Sequence, residues 1–155
     1  MTQTRKAWMK KHKHIGTIIV RISMALVFLY FGFSQLLQPA RFVGWLPPEA
    51  SLIPISGTTL ILFNGVFEVV FGTLLIVGAY TRISAALLGL HLFMISLTMG
   101  FTQTAVRDIG LALATLSIVF TGPDVWSLDT KSHSQKKEIP KADNSETDED
   151  YRNYL

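Results

Sequence analysis

The chain has 155 residues, of which 49% are hydrophobic and 16% charged, with a formal net charge of +3 and no cysteine. The missing cysteine excludes disulfides, thiol redox chemistry and thiolate metal ligation by this polypeptide itself. Between Ile15 and Thr121 only seven residues are charged (Arg21, Arg41, Glu49, Glu68, Arg82, Arg107 and Asp108), where a soluble domain at ~25% charged would carry roughly 27. That is the composition of a membrane protein.

The chain opens on a basic segment, residues 1–14, with Arg5, Lys6, Lys10, Lys11 and Lys13 ahead of the apolar run 15–37. A helix needs about 20 residues to cross a ~30 Å hydrocarbon core, and this run is long enough. It also exceeds the ~7–15 apolar residues of a secretory signal and ends in "QLLQPARF" without a small-x-small cleavage site, so a retained helix is expected. The basic lead places the N-terminus in the cytoplasm. His12 and His14 lie within it, where attraction to anionic lipid accounts for them, and no metal site is expected. The stretch 38–57 holds four of the six prolines and cannot continue a helix. With Phe42, Trp45, Leu46, Leu52 and Ile53 it reads as an outer loop lying against the membrane interface. A second helix over 58–80 and a third over 83–99 flank the inner turn "VGAYTR", with Tyr80 and Arg82 as interfacial anchors. The fourth has a short apolar core and spans only from about Gln103 to Thr121, carrying Arg107 and Asp108 in its outer end. Residues 130–155 are polar and mixed in charge, too poor in apolar area to offset the entropy of ordering, and read as a disordered cytoplasmic tail. The expected fold is therefore all-α, a polytopic membrane protein whose residues 15–129 form a bundle of four transmembrane helices, with both termini inside.

Placed on a 3.6-residue period, each helix has a polar or small face. Helix one aligns Arg21, Ala25, Phe28, Gly32 and Gln35; helix two sets Asn64 and Glu68 one turn apart, flanked by Gly65 and Gly72. Helix three repeats Ser84, His91 and Thr98 every seven residues, and helix four does the same with Asp108, Thr115 and Gly122. These faces should converge while Leu, Ile, Val and Phe meet lipid. Ionised groups at mid-bilayer cost ~2.5–3.5 kcal/mol each, so Glu68 is expected to be either paired or neutralised. At ~1.5 Å per residue an Arg21–Glu68 pair with His91 beside it is within reach. Two readings stand. In one, Glu68, Arg21, His91, Asp108, Asn64 and Arg82 line a polar pocket for a ligand or protons. In the other they are structural: an ion pair fixing helix contacts, Asn64 and Gln35 as hydrogen-bonding glue, His91 as a packing residue, and Asp108 as a cap on helix four.

The sequence has no phosphate-cradling Gly-rich loop, no zinc-protease helix and no Gly-x-Ser-x-Gly elbow, and a haem between two buried histidines is not expected with His91 alone. No complete catalytic motif is present, which leaves enzymatic activity open. An arginine with "FGFSQLLQP", then "FEVVFGTLLIVGAYTRISAALLGLHLFMIS" and "RDIGLALATLSIVFTGPDVWSLD" resemble the DoxX family of small four-helix membrane proteins over roughly residues 15–129. Gln35 departs from the pattern, where the family often places a lysine. The resemblance implies a prokaryotic cytoplasmic-membrane protein, accessory to a redox-associated complex, with a quinone-like or other small ligand at its polar positions, of which Arg21, Glu68, Arg82 and Asp108 match. The alternative it implies is an assembly factor or chaperone-like scaffold for other membrane proteins. Partners would be the bilayer, other membrane or redox-complex subunits and a second copy of the chain; nucleic acid is not among them.

Overall fold

The computed structural model describes residues 3–130, with side chains from Ile15 onward. The expected disordered tail, and the side chains of His12 and His14, lie outside the described residues. Among the described residues four long α-helices follow in order: α1 (Gln3–Leu37), α2 (Gly57–Val77), α3 (Thr81–Thr98) and α4 (Gln103–Thr121). Each contains a segment long and apolar enough to cross a membrane, that of α1 being Ile15–Leu37. α1 runs upstream through most of the basic segment, where no proline interrupts it and Lys, Ala and Met favour helix.

The loop before α2 folds into three short 3-10 helices, Pro39–Arg41, Val43–Trp45 and Pro48–Leu52. It packs back onto the start of α2: Leu46 and Val43 lie so close to Gly57 that a Cβ there would stand 3.1 Å from each. Trp45, Leu52 and Ile53 stay exposed. Ser56 caps α2, its Oγ accepting from the Thr59 N–H.

α2 stops three residues short of the expected Tyr80. Gly78 takes the left-handed conformation (φ 72°), its N–H and that of Ala79 both return to the Leu74 carbonyl, and Tyr80 follows at φ 49°. This left-handed closure satisfies carbonyls the helix end would otherwise orphan. α3 then begins at Thr81, two residues ahead of the expected start.

Packing follows the small residues. α1 and α2 approach closely at Gly32 and Gly65: a Cβ on either would meet the other's carbonyl oxygen at 3.0 Å. Gly72 lies against Leu29, whose Cγ would stand 3.2 Å from an added Cβ, and Gly89 brings α3 onto Leu116 and Ala112 of α4. Close backbone approach through glycine replaces the hydrophobic drive that lipid cannot supply. The α1 stripe is as expected, with Arg21, Ala25, Phe28, Gly32 and Gln35 all buried. So are Asp108 and Thr115 of α4 and Gly122 at its C-terminal end. On α3 the expected stripe holds only in part. Ser84 is buried, His91 half-buried and Thr98 exposed. The face α3 buries is Thr81, Ser84, Ala85, Leu88, Gly89 and Ser96. Met24, Ala25, Phe28, Leu75, Ala85, Leu88 and Ile118 form the apolar core between the two helix pairs.

Candidate functional site

The polar residues form two separate clusters. At the end of the bundle where α2 turns into α3, Arg21 is buried. Its Nε donates to Oδ2 of Asp124 at 2.7 Å and its Nη2 to Oδ1 at 3.3 Å. Nη1 donates to the carbonyls of Leu75 and Ile76, at 2.8 and 2.6 Å. One guanidinium thereby neutralises a buried carboxylate and satisfies two carbonyls at the end of α2, both uses suited to its rigid fork of donors. The Arg21–Glu68 pair that helical rise allowed does not form. α1 and α2 run antiparallel with Gly32 against Gly65, so Arg21 faces Leu75, about 10 Å along the helix from Glu68.

Asp124 belongs to the segment after α4, which folds back beneath the bundle. Its Oδ1 also accepts the Trp126 N–H at 2.9 Å, and its carbonyl accepts from Ser127 Oγ and Thr130 Oγ1. Asp129 completes the strap. Its carboxylate accepts the N–H groups of Tyr80 (2.9 Å) and Thr81 (2.8 Å), and its own N–H donates to the Gly78 carbonyl at 3.0 Å. Asp129 therefore caps α3 from 48 residues away, where Tyr80 offers no side-chain cap. Partial burial raises the Asp129 pKa, but the hydrogen bonds, led by the Thr81 N–H, outweigh it and hold the carboxyl below the ordinary aspartate value. Gly78 is required here twice over. Its φ is positive, and a Cβ would strike Ser127 at 2.5 Å.

The second cluster lies nearer the middle of the bundle. Gln35 Nε2 donates to Glu68 Oε2 at 3.2 Å; Asn64 Nδ2 donates to Gln35 Oε1 at 2.7 Å and to Glu68 Oε1 at 3.0 Å. Asn64 Oδ1 is hydrogen-bonded to Nε2 of His91 on α3. The His91 ring packs on Phe67 with centroids 4.7 Å apart, and Phe67 on Phe71 at the same distance. Glu68 is therefore held by two neutral amides, with no lysine or arginine bonded to it among the described residues. Asn64 and His91 also line a groove of about 580 Å³ between α2 and α3, with Leu60, Phe63, Val66 and Phe71 among its walls. Phe63, Val66 and Val70 are exposed along it, so the groove opens toward lipid.

The remaining candidates stand apart from this cluster. Asp108 takes Nε of Arg107 at 2.8 Å and makes no hydrogen bond to Glu68, Asn64 or His91. Nor does it cap α4: Thr102 does, its Oγ1 accepting the Ala105 N–H at 3.1 Å. Arg82 is exposed, its guanidinium folded over Gly122 at the end of α4. Sequence reasoning missed Asp124 and Asp129 as partners. Their only local signal was two aspartates in "TGPDVWSLD" just beyond an apolar run, which reads equally well as a solvated helix exit.

The family model described as DoxX matches residues 16–103. The chain belongs to the DoxX family. Arg21, Gln35, Asn64, Glu68, Arg82 and His91 of this DoxX protein fall inside the match, whereas Asp108, Asp124 and Asp129 fall beyond it. An uncharacterized membrane protein of Mycobacterium tuberculosis (strain ATCC 25618 / H37Rv) is 28% identical over 134 residues, covering 75% of this chain and 80% of the relative. No solved structure matches. Membership and four apolar spans make the chain a multi-pass membrane protein.

Proposed function

We propose that this DoxX protein is an accessory subunit of a redox-associated complex in a prokaryotic cytoplasmic membrane, with an internal polar site for a quinone-like ligand. The observation that carries this reading is the placement of Glu68, Gln35, Asn64 and His91. The four form one hydrogen-bonded network that reaches an aromatic groove open to lipid. Ionisable side chains within a membrane are costly, and each is by default a candidate ligand or proton site. A groove with apolar walls and few polar groups suits a flat, lipophilic ring. Arg21 and Asp124 belong to the structural strap in this reading, not to the site. The five lysines and arginines ahead of the apolar span Ile15–Leu37 set the N-terminus in the cytoplasm, and four spans bring the C-terminus to the same side.

The test is mass spectrometry of tagged protein purified in mild detergent from its native membrane, scoring co-purifying proteins and extracted quinone together. The expected result is a stoichiometric oxidoreductase subunit with enriched quinone. An unrelated membrane client without quinone would sink this reading and favour a scaffold. One feature supports that second reading: a smaller groove of about 210 Å³ between α1 and α4, lined by Gly16, Thr17, Val20, Ser117, Ile118 and Thr121. Small residues on a lipid-facing seam suit the close approach of another helix.

A further inference from the structure

The direction of each hydrogen bond decides what the α2–α3 groove offers a ligand. Asn64 Nδ2 donates to Gln35 and Glu68, which leaves Oδ1 toward His91. An amide oxygen only accepts, so Nε2 of His91 carries a hydrogen and donates. Flipping the Asn64 amide would set its oxygen against the Gln35 oxygen and the Glu68 carboxylate. Flipping both amides would put two carbonyl oxygens on one carboxyl group, which holds at most one proton. The orientation described is the one that sets no two acceptors together. In the neutral ring Nδ1 is then a bare acceptor. Among the described residues the hydrogen bond of His91 is to Asn64 through Nε2 and its ring contact is with Phe67, and neither involves Nδ1.

We infer that the groove takes a lipophile bearing a phenolic or quinol hydroxyl, whose O–H donates to Nδ1 of His91 while its ring lies among Phe63, Phe67 and Phe71. The inference rests on the reading that this network serves a ligand drawn from the bilayer, and it deepens that reading by choosing the reduced, hydroxyl-bearing form. A quinone presents only carbonyl acceptors and would set oxygen against Nδ1, whereas a quinol completes the chain of donors from ligand to His91 to Asn64. The ring reaches the site sideways from lipid, past Phe63, Val66 and Val70. Binding is a hydrogen bond; no covalent bond changes and no electron moves.

The full chain in nanodiscs is titrated calorimetrically with a short-tailed benzoquinol under reducing conditions, with its quinone and with the quinol dimethyl ether. The quinol should bind about tenfold tighter than the other two, the difference expected of one hydrogen bond. His91→Phe should erase that preference while leaving the weak common affinity. Phe67→Leu should weaken all three alike and keep the preference. In ¹⁵N-histidine-labelled wild type, saturation with quinol should move the Nδ1 resonance of His91, and this readout stands even if the His91 variant does not fold. Equal binding of all three, a preference that survives His91→Phe, or an unmoved Nδ1 overturns the inference and leaves the ligand-pocket reading intact. If none of the three binds, both fall.

Discussion

Arg21 and Glu68 are both charged residues on buried stripes, and they differ in what surrounds them. Arg21 has a bidentate carboxylate and two helix-end carbonyls; Glu68 has two amide donors. Removing one member of a buried ion pair leaves the other charge uncompensated, at a cost of about 3–5 kcal/mol. Arg21→Leu is expected to lose stability on that scale in reversible unfolding from mixed micelles. Adding Asp124→Leu should recover part of the loss, because the orphan charge disappears while the Leu75 and Ile76 carbonyls stay unsatisfied. A double variant no more stable than the single would show the pair to be energetically idle. Glu68→Gln sets one new amide donor against two existing ones and should cost less, about 1–3 kcal/mol, by the same measurement.

At the scale of the element, two devices hold the helices. The first is glycine contact. Gly32→Val would push a side chain into Val69, Glu68 and the Gly65 carbonyl, where a Cβ alone stands at 2.9–3.0 Å. Overpacking of this kind costs about 1–3 kcal/mol. Gly110→Ala, where nothing lies within 4 Å of the added Cβ, is the matched control and should unfold no earlier than the parent. The second device is the strap from Gly122 to Thr130, through which Asp129 caps α3. Its carboxyl titrates below its unfolded value, so its contribution is present at neutral pH, where both states are ionised. That contribution declines as pH falls below about 4 and is lost on passing the folded pKa. Hydrogen exchange at the Tyr80 and Thr81 amides should accelerate over that acid window in the parent. In Asp129→Asn the step should be absent and exchange fast throughout.

As a whole the molecule is two close helix pairs, α1 with α2 and α3 with α4, tied at one end by the strap and bordered by a groove on each seam. Its topology can be checked directly because the chain has no cysteine. Single cysteines at Ser51, in the loop before α2, and at Thr130, after α4, are expected to react with an impermeant maleimide from opposite sides of intact cells, Ser51→Cys from outside. Labelling of both from one side would refute the four-span arrangement, and labelling of Thr130→Cys alone from outside would invert it.

What the sequence determined by itself was everything carried by local period and composition. This covers four spans, the end of α4 at Thr121, the loop rich in proline, and a buried face on α1 that includes Arg21, Gly32 and Gln35. Period assigns a residue to a face, and desolvation cost then marks the few polar residues on it as significant. It cannot say which residue of another helix stands opposite. That depends on the register between helices, which here is set by the Gly32–Gly65 contact and puts Arg21 beside Leu75 instead of Glu68. The partners that matter most lie far along the chain: Asp124 is 103 residues from Arg21 and Asp129 is 48 from Thr81. Both sit in a segment with no helical period to mark a buried face. Only the return of that segment beneath the bundle, stabilised by hydrogen bonds to helix ends that would otherwise be orphaned, turned two apparently solvated aspartates into buried or capping ones.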